Sequence, residues 1–371
     1  MNASPLRLSA EQQGFASIVI ALIMVLVLSL TTVGFAQLMR REERSALDKQ
    51  LSNQAYYAAE TGVNDATQAL NSGFTLTKSQ CEPYTTAQLN AMDPSQKTAA
   101  TQSLNDNSVG TSTGASYSCL IINPHPDSLQ YTIDGNETRA TELTGATLNS
   151  DPPDVQPIGN LEISWQDHNS GDTSFAPAPG SSYIFGNAVT DWKYTGMLKA
   201  SLTPLSRNAV DRASLIKNTF TAFLYPNQAG SAADPGSIDA GSGSGGQGGA
   251  IVNGNCHTAN ITTKSLPRYC NIKITNLNSA RYLLTLSALY QKSDITITAY
   301  APDGVTKLSI NDAQVLVDST GKAQDVLRRI QVRVPAHNDF DVPSGTVGTI
   351  CKQLQLTPGN ATSASGDCPV N

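Results

Sequence analysis

The stretch that decides the fold is Phe15–Met39, FASIVIALIMVLVLSLTTVGFAQLM, which contains no charged side chain over 25 residues. At about 1.5 Å of rise per residue, a helix of this length covers about 37 Å, enough to cross the roughly 30 Å hydrocarbon core of a bilayer. The chain continues without proline through RREERSALDKQLSNQAYYAAETGVNDATQALNS, where apolar residues recur at steps of three and four from Leu47 to Leu70. The pattern predicts one helix from Phe15 to Ser72, apolar in its first half and amphipathic in its second.

The rest of the 371-residue chain is rich in turn-forming residues, and after the helix it predicts β structure. Short alternating or β-branched runs stand at intervals of roughly a dozen residues, a spacing typical of an antiparallel sheet or sandwich. The Gly/Ser-rich stretch 230–250 is expected to be a surface loop or tether. The fold class is therefore α+β, a long amino-terminal helix packed on a β-rich antiparallel carboxyl-terminal region. Asp134-Gly135 is expected to form a turn between the first two strands and the segment from Glu137 onward. The strands are expected at the following runs: Tyr117–Ile122, Leu129–Ile133, Asn160–Gln166, Gly196–Ser206, Asn218–Pro226, Tyr269–Leu277, Tyr282–Gln291, Asp294–Tyr300, Ala313–Ser319 and Leu327–Pro335.

Six cysteines lie after the helix and none lies in the uncharged run, which favours disulfides in an oxidising compartment. Six cysteines allow fifteen pairings, and the simplest joins nearest neighbours along the chain. A zinc site is not indicated because no C-x-x-C pair is present. The nearest-neighbour pairs are Cys81 with Cys119, Cys256 with Cys270, and Cys351 with Cys368.

Two features of the sequence predict opposite orientations of the helix in the membrane. Arg40, Arg41, Arg44 and Lys49 after the run outnumber Arg7 before it, which by the positive-inside rule would place the carboxyl side in the cytoplasm. The cysteines argue for the opposite side, and long domains translocate largely regardless of charge. We therefore expect an extracytoplasmic carboxyl-terminal region.

The sequence offers little sign of catalysis or of a cofactor. The histidines, His125, His168, His257 and His337, stand isolated among turn residues, and no G-x-S-x-G or H-E-x-x-H motif occurs. The acidic pairs in 151–154 and 339–341 are interpreted as solvated turns because no calcium-loop pattern is spelled out. A net charge of −6 makes nucleic acid an unexpected partner. We expect no enzyme activity, metal or cofactor.

The amino terminus resembles the type IV pilins, on three features: Gly14-Phe15, the uncharged run, and AYYAAETGVNDA at 55–66. The AAETG segment is most similar to PilX-type minor pilins. The resemblance covers about the first 70 residues and implies that a prepilin peptidase cuts between Gly14 and Phe15 and methylates the new amine. It also implies a helix that waits in the inner membrane and later packs with other pilins in a filament. The resemblance divides the start of the chain into 1–14 leader, 15–39 transmembrane half and 40–73 amphipathic half. The residue pattern divides the rest into 74–229 irregular and β-rich region, 230–250 loop, and 251–371 β-rich domain with a disulfide-closed tail.

One position departs from the pilin pattern. Most major pilins carry Glu at the fifth residue of the mature chain, and here that residue is Val19. In those pilins the carboxylate is thought to neutralise a neighbouring amino terminus, so its absence favours a minor subunit that initiates or caps a filament, or a lineage that does without it.

Two function classes follow from the resemblance. The first is a minor type IV pilus subunit, in the membrane before assembly and in the extracellular pilus afterwards, contributing to assembly, adhesion or motility. The second is a type II secretion pseudopilin or a membrane-anchored surface adhesin. Val19 is compatible with both classes.

Overall fold

The structure is a computed structural model that describes residues 11–71, 81, 86–91, 94, 97, 114–148, 153–169, 175–176, 192–205, 218–228, 236–240, 250–261, 264–311 and 313–336. The α+β prediction is confirmed, because one long helix precedes a β-rich region. The helices are α1 (Glu11–Asn71) and α2 (Thr86–Ala91). The strands are β1 (Ala115–Asn123), β2 (Leu129–Ile133), β3 (Thr138–Thr147), β4 (Asn160–Asp167), β5 (Met197–Pro204), β6 (Phe220–Gln228), β7 (Gly236–Asp239), β8 (Ala250–Ile261), β9 (Lys264–Thr275), β10 (Arg281–Leu289), β11 (Ser293–Tyr300), β12 (Lys307–Asn311), β13 (Gln314–Ala323) and β14 (Val326–Pro335).

Helix α1 is 61 residues long and runs through the whole predicted segment. It begins at Glu11, four residues before the expected start at Phe15, because nothing in Glu11–Gly14 blocks helical backbone. It ends at Asn71, one residue before the expected end at Ser72. The uncharged run and the amphipathic run are therefore one continuous element.

The chain divides into two compact units. The first contains α1 up to Gly62, the first part of β1 up to Cys119, and Ser319–Ile330 from β13 and β14. The second contains most of the remaining strands. A three-stranded sheet has the order β1-β13-β14.

The second unit is built on an eleven-stranded sheet with the order β12-β3-β10-β5-β6-β8-β9-β4-β11-β2 and with β7 beside β9. The hydrogen-bonded path closes on itself, because β12 pairs with β3 at one edge and with β11 at the other. Most neighbours are antiparallel, as expected, but β6 with β8 and β7 with β9 are parallel. The sheet is therefore mixed.

The core of the second unit follows the alternation seen in the sequence. Buried and half-buried residues alternate along β4, β10 and β11, so each strand presents one face to the core. Trp165 is the largest fully buried side chain, and its Nε1 donates a hydrogen bond to the Gly196 carbonyl at 2.9 Å. A Cβ at Gly254 would overlap the Trp165 ring, so a glycine lets β8 lie against it.

The Gly/Ser-rich stretch 230–250 is not a loop throughout. Gly236–Asp239 forms β7, which pairs with β9, and Ala250 begins β8. Strand pairing with a formed neighbour overrides the weak local β propensity of such residues. The prediction of a tether was therefore wrong at these positions.

Candidate assembly helix

The apolar half of α1 has no cover from the described part of its own chain. Leu22 is 63% exposed, Leu30 is 64% exposed and Phe35 is 68% exposed. The most apolar 18-residue window of the helix has a mean hydropathy of 2.7 and is 0% buried. Side chains of this kind favour leaving water by about 1.5–3 kcal/mol each, so this surface requires lipid or other chains around it.

Three hydroxyl groups within this half need no hydrogen-bond partner outside the helix. The hydroxyl of Ser29 donates to the Leu26 carbonyl at 2.9 Å, and that of Thr31 donates to the Leu28 carbonyl at 2.9 Å. The Thr32 hydroxyl lies 2.9 Å from the Ser29 carbonyl, to which it donates. Each hydroxyl is satisfied by its own helix, which suits a span in lipid.

The Gly14–Phe15 bond lies in the first turns of α1, which begins at Glu11. The first four N–H groups of a helix have no intrahelical partner, and glycine is less favourable than alanine in a helix by about 1 kcal/mol. Cleavage at this bond stays a prediction.

Val19, at the position of the usual pilin glutamate, is 40% exposed and lies on the apolar surface. Its neighbours Ile18 and Ile20 are 65% and 60% exposed. The described part of the span therefore presents no carboxylate to a neighbouring amino terminus.

The amphipathic half of α1 buries a stripe of small residues within the first unit. Ala55 and Ala58 are fully buried and form an apolar cluster with Ala115 and Ala323, against which Leu51 and Val326 pack. A Cβ at Gly321 in β13 would overlap the Ala55 carbonyl oxygen and the Ala59 amide nitrogen. Strand β13 thus lies directly against the helix backbone.

The opposite face of the same turns carries two exposed aromatic residues. Tyr56 is 50% exposed and Tyr57 is 62% exposed, and their rings meet edge to face with centroids 5.9 Å apart. Large exposed aromatic groups on a helix surface are suited to contacts between chains.

The structure describes four of the six cysteines that were predicted to form disulfides. Cys256 and Cys270 form a disulfide between directly opposed positions of β8 and β9. Cys81 and Cys119 are also disulfide-bonded. Cys351 and Cys368 lie outside the described residues.

Asp154 and His168, two of the polar residues considered as candidate chemical groups, make local hydrogen bonds. Asp154 accepts hydrogen bonds from the Thr147 hydroxyl at 3.0 Å and from the Gln156 amide at 2.8 Å. His168 Nδ1 lies 2.9 Å from Asp294 Oδ1. Burial favours a higher pKa for Asp294, but hydrogen bonds from Thr132 and His168 outweigh it and lower the pKa below its ordinary value.

No group of three or more His, Cys, Asp or Glu side chains is arranged to hold a metal within the described ranges. His337 and the acidic pair at 339–341 fall outside those ranges, as does residue 151. The expectations about catalysis and metals at these positions stay predictions.

Residues 13–64 match the family model described as PilX N-terminal. The predicted likeness to a PilX-like type IV pilin is thereby confirmed for the amino-terminal segment. The matched range contains the Gly14–Phe15 bond, the whole uncharged run and the alanine stripe up to Gly62. No curated protein and no solved structure matches the chain.

Two residues that contact α1 could not be identified from the sequence. Gly321 and Arg328 lie in β13 and β14, yet both reach α1, where the Arg328 Nε donates to the Ser52 hydroxyl at 2.8 Å. The apolar stripe of the helix predicted that something must cover it. Nothing in the local sequence indicated which strand would do so.

Proposed function

We propose that the chain is a minor subunit of a type IV pilus, processed between Gly14 and Phe15 and assembled through α1. The observation that carries the proposal is that the PilX match coincides with a helix whose apolar half is exposed over its length. Such a surface can be surrounded by lipid and then by equally apolar helices of other subunits.

The proposal places the chain in the inner membrane before assembly, with its β-rich region on the extracytoplasmic side. The disulfides support that orientation, since such bonds persist in oxidising compartments. After assembly, the β-rich region is displayed on the filament, where it contributes to assembly, adhesion or motility. The partners are other pilins and the prepilin peptidase.

The lack of a carboxylate at Val19 supports a minor role. A subunit at an end of a filament lacks one neighbour, so it does not need both halves of the amine–carboxylate pair. A type II secretion pseudopilin shares the helix, and the experiment below separates it from a pilus subunit.

The test is to shear filaments from cells that carry the full chain with an epitope tag and to probe the filament fraction. A Gly14→Val variant serves as the processing-defective control. The proposal expects the unchanged chain in sheared pili and the variant in membranes alone. Recovery only with secretion pseudopili, or with membranes for both forms, contradicts it.

A further inference from the structure

Four side chains from three neighbouring strands of the second unit lie together on the sheet face opposite the core. Asn160 and Glu162 belong to β4, Lys273 to β9 and Tyr300 to β11. Strand β4 lies between the other two, with Glu162 directly opposite Lys273 and Asn160 directly opposite Tyr300. The residues that alternate with them along each strand belong to the core cluster, so these four side chains share the other face.

Lys273 reaches from β9 across β4 to β11. Its Nζ lies 4.7 Å from the centroid of the Tyr300 ring, and it donates a hydrogen bond to the Gly304 carbonyl at 2.6 Å, in the turn after β11. Strands β9 and β11 are separated by two sheet spacings, about 10 Å. The Lys273 side chain therefore passes over β4 where Asn160 and Glu162 lie.

The amide of Asn160 lies beside this amine. Asn160 is buried, with 8% of its surface exposed. A Cβ built on Gly304 would lie 2.8 Å from Asn160 Nδ2 and 3.9 Å from Lys273 Nζ, so the two nitrogens border the same small space. The fold thus holds a primary amine next to a buried carboxamide.

Glu162 supplies a carboxylate that can carry protons between these groups. Its Oε2 accepts a hydrogen bond from the Tyr300 hydroxyl at 3.0 Å. Burial, together with that hydrogen bond, raises the pKa of Tyr300 to about 12, so the hydroxyl keeps its proton and remains a donor. A carboxylate has two oxygens, and the second can exchange protons with Lys273, which is directly opposite.

We propose that Lys273 and Asn160 form an intramolecular isopeptide bond. The Lys273 amine passes a proton to Glu162, and its lone pair attacks Cγ of Asn160. The new Nζ–Cγ bond replaces the Cγ–Nδ2 bond. Glu162 carries two protons in turn from Nζ to Nδ2, so the amide nitrogen leaves as ammonium ion and Glu162 ends as the carboxylate. The step needs no oxidant, reductant or other reactant.

The bond joins β4 to β9 covalently and adds to the disulfide between β8 and β9. Like a disulfide, it restricts the unfolded chain. All four side chains belong to the second unit, so the inference depends neither on α1 nor on pilus assembly.

The test is a peptide map of the full chain, purified from membranes and then reduced and denatured before digestion with trypsin. Trypsin cleaves after lysine and arginine, but a lysine whose amine is in an isopeptide bond is no longer a substrate. Segments 140–193 and 269–281, which contain Asn160 and an uncleaved Lys273, should therefore be recovered as one joined species. Its mass should be that of the two peptides less one ammonia molecule, and fragmentation should place the link between these two residues.

Three variants decide whether the link is the proposed one. Lys273→Arg keeps the charge without a nucleophilic amine, and Asn160→Ser removes the carboxamide, so neither should give the joined species. Lys199→Arg is the matched control, because the Lys199 amine also lies over an aromatic ring, that of Phe223, at 5.9 Å. It should give as much joined species as the unchanged chain. Complete cleavage after Lys273 in the unchanged chain overturns the inference, as does a joined species in Lys273→Arg or Asn160→Ser or its loss in Lys199→Arg.

Glu162→Gln tests the proton carrier. Glutamine keeps an acceptor oxygen for Tyr300 but cannot carry a proton, so the joined species should form roughly a hundredfold more slowly in newly made, pulse-labelled chain. An unchanged rate overturns the proton-transfer step.

Thermal unfolding is an independent readout of the bond. Lys273→Arg should unfold at a Tm roughly 10 °C below that of Lys199→Arg, because it loses a link that restricts the unfolded chain. Equal Tm values for the two variants overturn the covalent link.

Discussion

At the scale of single residues, Gly321 fixes how closely β13 lies against α1. A Cβ there would overlap backbone atoms of Ala55 and Ala59, which cannot move aside as a flexible side chain can. Gly321→Val should therefore lower the free energy of unfolding by about 1–3 kcal/mol, the usual cost of overpacking a close contact. The measurement is denaturant unfolding of the full chain in detergent micelles.

Gly34 provides the matched control for this substitution. It also lies in the described part of the chain, in α1, and a Cβ there meets nothing within 4 Å. Gly34→Ala should leave the unfolding of the chain unchanged or raise its stability slightly, since alanine is the better helix former. Equal effects of Gly321→Val and Gly34→Ala would contradict the close contact.

Asp294 should give the second unit a pH-dependent stability. Its pKa is below the ordinary value, because hydrogen bonds from Thr132 and His168 outweigh the opposing effect of burial. Because the pKa of Asp294 is lowered in the folded state, its contribution to stability is fully present above the unfolded-state pKa of about 4. That contribution is lost as the pH falls through the folded-state pKa. Asp294→Asn should be destabilising by about 1 kcal/mol at pH 7.

The measurement for Asp294 is urea unfolding at pH 7 and at pH 3. The difference between the unchanged chain and Asp294→Asn should shrink at the lower pH. Asp325→Asn, in the exposed turn between β13 and β14, is the control and should follow the unchanged chain at both values. A constant difference across this range would rule out the proposed source of the pH dependence.

At the scale of elements, α1 has two faces with different uses. Ala58 is fully buried within the first unit, while the adjacent Tyr57 is 62% exposed. Tyr57→Ala should leave the unfolding of the isolated chain unchanged and reduce its recovery in sheared filaments, because an exposed aromatic group is removed from an assembly surface. Ala58→Leu, in contrast, should lower the free energy of unfolding by about 1–3 kcal/mol, because it overpacks a buried contact.

Stability and recovery in filaments are measured separately for each variant. Unfolding is followed by circular dichroism, and recovery is followed by immunoblot of the filament fraction. Normal filament recovery of Tyr57→Ala would show that this face makes no contact that matters for assembly.

The disulfide between β8 and β9 is the second element-scale feature. Cys256 and Cys270 close a loop with a sequence separation of 14, so replacing both by serine should cost about 3 kcal/mol by freeing the unfolded chain. Thermal unfolding of the full chain measures this loss. Since the pair is remote from Gly14 in sequence, cleavage should proceed as before, and an unchanged midpoint would contradict a stabilising role.

At the scale of the whole molecule, the sequence predicted the helices and strands better than it predicted which of them lie side by side. The uncharged run and the spacing from Leu47 to Leu70 specify α1 by local pattern alone, and alternation specifies strands such as β10 and β11. Strands β7 and β8 were missed because their glycine, asparagine and serine content gives little apolar alternation, and β12 was missed because it alternates Leu308 and Ile310 over only five residues. Their pairing depends on neighbours that only the fold brings together.

The candidate sites divide in the same way. Gly14, Phe15 and Val19 could be named as candidates from the sequence because they belong to a contiguous motif. The contact of Arg328 with Ser52 could not be identified, because it forms only when β14 lies beside α1. A local sequence pattern carries no information about such long-range contacts.

The central claim is that α1 is a processed assembly helix, and the mass of the chain recovered from sheared filaments tests it most directly. Intact-mass and amino-terminal peptide spectrometry should show a chain that begins at Phe15 with one added methyl group on its amine, and no leader residues. A filament-associated chain that still carries Met1–Gly14, or an unmodified internal Phe15 in every recovered peptide, would contradict the account.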